Sequence, residues 1–331
     1  MTAVPMVEIH RGPLIESWHS GHAVICDGTG QIVESWGDPG AVVLPRSSSK
    51  MIQALPLVTS GAAREAGLGS DRLALACASH VGATLHSRLV EAWLAERGLS
   101  EHDLICGPQA SRDKELRHEM IREARAPGRV HNNCSGKHTG FLTLTQHLKA
   151  GPDYVDLAHP VQIACREAFE EVTGETSPGF GIDGCSAPNF ATTMVGMARA
   201  MAFYASAGTR GDAQSRAAAQ LVEAMIAHPM LVAGEGQACT LLMQTAKEPV
   251  AIKTGAEGYY VAILPKRGMG IAAKIVDGAT RASECVIAAL LVRLGVLEAA
   301  HPDVARFLNP PVRNWDGLMT GEIRPVAGLA G

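Results

Sequence analysis

Strand-forming sequence at both ends of the chain encloses a long helical block, and that order narrows the fold more than any other feature. Residues 22–26 and 31–35 are rich in β-formers and flank Asp27-Gly28-Thr29-Gly30, which carries hairpin turn chemistry. From Ser47 to about Met243 the period changes: apolar residues recur three and four apart in 84–97, 114–124, 136–148, 160–172, 189–205 and 212–227. Residues 250–253, 259–264 and 270–276 then read as three strands, followed by a helix over 280–294. Short pieces of sheet cannot bury a face unaided, so the two ends should join in one antiparallel sheet. The expected fold is α/β, a single two-lobed domain over 1–331. Its sheet lobe takes about 1–46 and 248–331, and an inserted helical lobe takes about 47–247. A cleft between the lobes is the expected ligand site.

Composition excludes several classes of function. The 331 residues carry a formal net charge of −4 with the basic residues scattered, so no nucleic acid partner is expected. The longest clean apolar run, 285–292, falls far short of the roughly 18 residues a membrane-spanning helix needs. Glu8, His10, Arg11, Glu16 and His19 leave no room for the apolar core of a secretory signal, so a cytoplasmic location is expected. In that compartment the eight cysteines read as thiols or metal ligands, not as a disulfide framework.

Candidate chemistry begins where the helical block begins, at Pro45-Arg46-Ser47-Ser48-Ser49-Lys50. In a helix only Ser47 shares a face with Lys50, which makes Ser47 the candidate nucleophile and Lys50 its base if burial or a nearby cation keeps the amine neutral. A second Ser-x-x-Lys, Ser111 to Lys114, lies in a polar stretch and reads as a helix cap. Ser47 is singled out by Lys253-Thr254-Gly255 at the end of a late strand. An early Ser-x-x-Lys with a late Lys-Thr-Gly is the signature of serine hydrolases of the β-lactamase and penicillin-binding type, although their Ser-Asp-Asn element is missing. Ala78-Ser79-His80-Val81-Gly82 ends an apolar segment and offers a serine as proton relay. Asn132-Asn133-Cys134-Ser135-Gly136-Lys137 puts Cys134 and Lys137 on one face at a helix start. Asp183-Gly184-Cys185-Ser186-Ala187-Pro188 supplies a carboxylate and a thiol before another element, with Pro188 placed as a helix starter. Cys134, Cys185 and a nitrogen from Lys137 together form a soft donor set suited to zinc.

These stretches, with His138-Thr139-Gly140-Phe141, Ala256-Glu257-Gly258 and Lys274-Ile275-x-Asp277-Gly278-Ala279-Thr280-Arg281-Ala282, resemble the thermolabile L-asparaginases of the rhizobial type, a family related in fold to serine β-lactamases and glutaminases. The resemblance spans roughly residues 7 to 295. It implies hydrolysis of L-asparagine by a homodimer, with Ser47 as nucleophile and Lys50, Ser79 and Lys253 completing two serine-lysine pairs. It implies zinc on Cys134, Lys137 and Cys185, serving binding more than bond cleavage. It places Asp183 on the α-amino group of the substrate, and Arg46, His138 and Cys239 around the site. Backbone N–H groups of Ser47 and Ala256 would form the oxyanion hole, by analogy with the related hydrolases. After Ser79-His80-x-Gly82 the family usually has Glu-Pro, and this chain has Ala83-Thr84. Two other readings stay open from the residues alone: a β-lactam, peptide or other small-amide serine hydrolase, and a non-catalytic sensor of zinc or an amino acid.

Overall fold

The computed structural model describes residues 2–331, and they form two compact units. The first comprises residues 2–48, 192–206 and 238–331, and the second 49–191 and 207–237.

The first unit is built on an eight-stranded antiparallel sheet. From one edge its order is Pro311–Arg313, Met319–Pro325, Val4–Arg11, Leu14–Cys26, Met269–Ile275, Tyr259–Leu264 and Ala251–Gly255, with Ile32–Trp36 paired on Leu14–Cys26. The expected joining of both chain ends in one sheet is thus met, and the Asp27–Gly30 turn closes a real hairpin, in which Ala23 faces Trp36 and Val24 faces Ser35. The middle of the sheet is covered on both faces, since every residue of Tyr259–Leu264 is buried. Helix Met194–Ala205 lies on it so closely that a Cβ added to Gly270 would sit 2.1 Å from the Ala202 nitrogen. Helices Thr280–Arg293 and Pro302–Leu308 complete the layer, and residues 285–291 are buried all round the helix. The long apolar run of the sequence is therefore core.

The second unit is helical. Lys50–Thr59, Ser70–Ala76, Ser135–His147, Pro160–Thr173 and Ala213–Ala227 pack around Met51, Leu55, Leu75, Trp93, Phe141, Phe169 and Leu221. Its central helix, Ser135–His147, is buried from Ser135 to Thr145. Small residues allow this: a Cβ on Gly136 would come within 2.4 Å of the Leu75 carbonyl oxygen, whereas one on Gly140 would make ordinary contacts at 3.4 Å or more.

Two local expectations give way. Pro188 opens a short strand, Pro188–Phe190, paired with Phe180–Ile182, and the helix begins only at Met194, with Thr193 as its cap. Proline is well tolerated at the first residue of a strand. Ser111 does not cap a helix. Its hydroxyl donates to the Val81 carbonyl, and Asp113 is the cap of Lys114–Arg122. No helix among the described residues is long and apolar enough to cross a membrane.

Candidate active site

In the first unit the chain leaves its small ribbon, Val42–Val43 against Thr192–Thr193, and turns through a 3-10 helix, Arg46–Ser49. The sequence reading carried an α-helix through these residues, but the regular helix starts at Lys50. Arg46 has φ of 53°, a left-handed conformation that a side chain rarely adopts. Ser48 closes the turn, its amide and hydroxyl both donating to the Pro45 carbonyl at 3.2 and 2.6 Å. Ser47, half-buried, sits within it.

Against this turn lies the end of strand Ala251–Gly255. A Cβ on Gly255 would be 2.5 Å from the Pro45 oxygen and 3.1 Å from the Ser48 nitrogen, so only glycine lets the strand approach. Side chains alternate along a strand, and Lys253 therefore shares the Gly255 face that meets residues 45–48. Lys253 is 1% exposed, and its Nζ donates to the Thr254 carbonyl at 2.8 Å. Ala256 follows, exposed, and Glu257 then takes φ of 61°. Cys239, buried in helix Ala238–Thr245, meets the Thr254 amide and the Tyr260 side chain. Burial pushes its thiol up, with the Lys253 charge opposing.

The second unit assembles its own group. Lys50, 1% exposed, donates from Nζ to the carbonyls of Ala78 and Asn133, the latter at 3.3 Å. One side chain thus ties the residue before Ser79 to the residue before Cys134. The segment bearing Ser79 is extended, its amide donating to the Val232 carbonyl at 2.9 Å while Val81 donates to Ala233. The Cys134 amide is capped by the Asn132 side chain at 2.9 Å. Cys185 sits in the hairpin loop 183–187, where Ser186 has φ of 70° and the Asp183 carboxylate accepts from the Gly184 amide at 2.7 Å. Of five non-glycine residues with positive φ among the described residues, Arg46, Ser186 and Glu257 each adjoin a candidate residue. Backbone strain concentrates at functional sites.

Cys134, Lys137 and Cys185 converge: Lys137 Nζ donates to Cys185 Sγ at 3.1 Å, and the Cys134 thiol is hydrogen-bonded to Cys185. That hydrogen bond, with the Lys137 and Lys50 charges and against the effect of burial, holds the Cys185 thiol well below its ordinary range. The same bond, with burial, pushes Cys134 up to about 12. Burial disfavours the charge on Lys137, but the Cys185 and Cys134 sulfurs outweigh it and raise its pKa. Among the described residues no three His, Cys, Asp or Glu side chains gather as a metal site, so a metal here needs Lys137 as its third donor. Two soft sulfurs, one already inclined to ionise, and an amine within reach fit zinc. The lysine must give up its proton to bind.

His138, wholly buried, is kept neutral first by burial and then by Lys137, its pKa lying well below the ordinary value. Sequence reasoning missed the groups that hold this arrangement. Arg112 donates from Nη2 to the carbonyls of Ser79 and His80 at 3.1 and 3.2 Å. Gln109 accepts from the Asn133 amide at 3.0 Å. Tyr154 bonds His138 Nδ1 at 2.8 Å. Their contacts span 16 to 33 positions of chain, so no short motif signals them.

Among solved structures, Mglu in its native form is 17% identical with a TM-score of 0.44, over 80% of this chain and 61% of that one. Mglu in its L-glutamate binding form is 16% identical with a TM-score of 0.48, over 85% and 61%. A β-lactamase from Mycobacterium bovis is 11% identical with a TM-score of 0.40, over 80% and 89%. The chain spans about three fifths of the length of the Mglu chains. No curated protein sequence matches it. The family model described as L-asparaginase II, however, matches residues 7–325, and the chain belongs to the L-asparaginase II family.

Proposed function

We propose that the protein is an amidohydrolase that converts L-asparagine to L-aspartate and ammonia through an ester on Ser47. The observation that supports this reading is the approach of strand Ala251–Gly255, which bears Lys253, to the Pro45–Ser48 turn, which bears Ser47. Family membership supports the substrate class.

In the proposed reaction Ser47 Oγ attacks the side-chain amide carbon while the Lys50 amine takes the hydroxyl proton. Lys50 is the candidate base because it is buried and its Nζ reaches the carbonyls of the residues before Ser79 and Cys134. The N–H groups of Ser47 and Ala256 receive the oxyanion. Collapse breaks the C–N bond, and the Ser79–Lys253 pair delivers a proton to the leaving ammonia. Water, deprotonated by the same pair, then attacks the ester carbon, and as the C–O bond breaks the proton held on Lys50 returns to Ser47 Oγ, freeing L-aspartate. Asp183 holds the substrate α-ammonium, and Arg46, His138 and Cys239 line or support the site. Cys134, Lys137 and Cys185 would hold zinc, whose positive charge would supply Lewis-acid attraction for a polar group of the bound amino acid. We further propose a cytoplasmic homodimer.

The deciding experiment is ammonia release from L-asparagine by the purified protein and by Ser47→Ala. Turnover by the first and a loss of about a thousandfold or more in the second are expected. Wild-type rates in Ser47→Ala would remove Ser47 from the reaction. The rate should climb toward alkaline pH, and a flat profile would overturn the part of a general base.

A further inference from the structure

His138 lies in the first turn of Ser135–His147 with its ring wholly buried. Its Nδ1 is 2.8 Å from the Tyr154 hydroxyl oxygen, and that oxygen is 2.7 Å from the Ile105 amide nitrogen. Counting hydrogens settles who donates. The Ile105 amide can only donate, so the phenol oxygen accepts from it, and the single phenol hydrogen must find an acceptor. Nδ1 is the acceptor in reach. Either tautomer leaves one buried hydrogen without an acceptor, Nε2–H in one and the phenol O–H in the other, but with hydrogen on Nδ1 the Nε2 lone pair is left unpaired as well, two unmet groups against one. The satisfied chain runs from Ile105 N–H to Tyr154 O–H to His138 Nδ1, and the ring hydrogen therefore belongs on Nε2.

Tyr154 is well placed to impose this. It is wholly buried, its carbonyl accepts from Gln162 Nε2 at 2.7 Å, and its ring stands edge-on to His138 at 5.4 Å. At the other side of the imidazole, Nε2 is a buried donor with no hydrogen-bond partner among the described residues. Phe141 stands edge-on to the His138 ring at 5.7 Å and carries Lys137 Nζ 5.2 Å from its ring centre, so the imidazole lies beside the Lys137 cluster.

We propose that Tyr154 is a positioning residue: its hydroxyl, oriented by the Ile105 amide, fixes the His138 ring with hydrogen on Nε2, so that the ring offers a donor to an oxygen of the incoming ligand. The identity of that oxygen, a carboxylate or amide oxygen of an amino acid, rests on the amidohydrolase reading. The tautomer does not. A ring fixed this way welcomes an acceptor and repels an ammonium, and it adds orientation without taking part in proton transfer.

The test is nitrogen NMR of the full-length protein carrying 15N-histidine, with the His138 signal assigned from its absence in His138→Gln. Wild type should show the Nε2–H form, and Tyr154→Phe should lose it in favour of a mixture. L-aspartate binding, measured by calorimetry, should weaken about five- to tenfold in Tyr154→Phe, the worth of one hydrogen bond. KM should rise by a similar factor and kcat change less. His138→Gln, which carries an N–H near the Nε2 position, should bind better than His138→Ala. An Nδ1–H or doubly protonated ring in wild type overturns the proposal, as does an unchanged tautomer in Tyr154→Phe. So does a changed tautomer with unaltered aspartate affinity. If Tyr154→Phe fails to fold, the wild-type tautomer and the two His138 variants still decide. A wild type that binds neither aspartate nor asparagine, yet loses its Nε2–H form in Tyr154→Phe, would sink the substrate reading and leave the positioning role standing.

Discussion

At the scale of single residues, burial without a carboxylate partner separates the chemical groups from the structural ones. Lys50 is held by two carbonyls alone, so its removal takes away a base and strands the Ala78 and Asn133 oxygens. Lys50→Met should lower kcat about 10²- to 10⁴-fold in a steady-state ammonia assay. It should also destabilise the fold, whereas Ser47→Ala should leave the melting temperature near wild type. Glu284 illustrates the opposite case, a titrating group with no assigned part in the chemistry. Burial pushes its carboxyl from 4.5 up to about 7, with Arg306 pulling the other way. The folded chain therefore prefers the neutral acid. Stability from this group is fully present below about pH 4.5 and is lost as the pH rises through about 7. Glu284→Gln should be more stable than wild type at pH 8, on the order of 1–3 kcal/mol by urea unfolding, and indistinguishable near pH 4.5. A constant difference across that range would mean that the side chain acts by packing instead.

Elements place these residues, and the central helix does so most directly. Gly136 and Gly140 stand on one face of Ser135–His147, yet they differ in what surrounds them. A methyl on Gly136 meets backbone at the Leu75 carbonyl, which cannot rotate away, while one on Gly140 meets Leu57 and Ala76 side chains at van der Waals distance. Gly136→Ala should lose about 1–3 kcal/mol of stability and weaken ligand binding, because the turn bearing Cys134, Lys137 and His138 must shift. Gly140→Ala should be neutral or gain up to about 1 kcal/mol from helix propensity. Calorimetric melting of both variants checks the pair, and equal losses would mean that the helix tolerates no added methyl at all. The sequence pattern located this helix and the late strands well, since 259–264 and 280–294 became Tyr259–Leu264 and Thr280–Arg293. It missed Val4–Arg11, Pro311–Arg313 and Met319–Pro325, where Pro5, Glu8, Pro311, Gly321 and Glu322 interrupt the apolar signal. Strands toward the edge of a sheet bury less and so carry less pattern. The 189–205 periodicity covered both a short strand pair and a helix, because a buried apolar stretch reads alike in either form.

For the molecule as a whole, the order of strands, helices and strands was legible because it depends on patterns within each segment. The convergence of Ala78, Asn133 and Cys185 was legible only as separate motifs, because their meeting is set by packing between distant parts of the chain. Metal binding tests that convergence without any appeal to catalysis. A donor set drawn from two helical-unit segments far apart in sequence, 134–137 and 185, does not persist in the unfolded chain. Zinc bound there must therefore stabilise the fold by mass action, about 2.7 kcal/mol at a free concentration one hundred times the dissociation constant. Chelator-stripped protein titrated with zinc should melt progressively higher, with near one equivalent per chain by elemental analysis. Cys134→Ser and Lys137→Ala should each abolish most of the shift, because each removes one of three donors. Ser47→Ala, which touches none of them, should keep it. A zinc-dependent rise that survives both donor variants would place the metal elsewhere, and no rise at any concentration would reduce the Cys134–Lys137–Cys185 cluster to a buried thiolate–ammonium pair that braces the helix against the 183–187 loop.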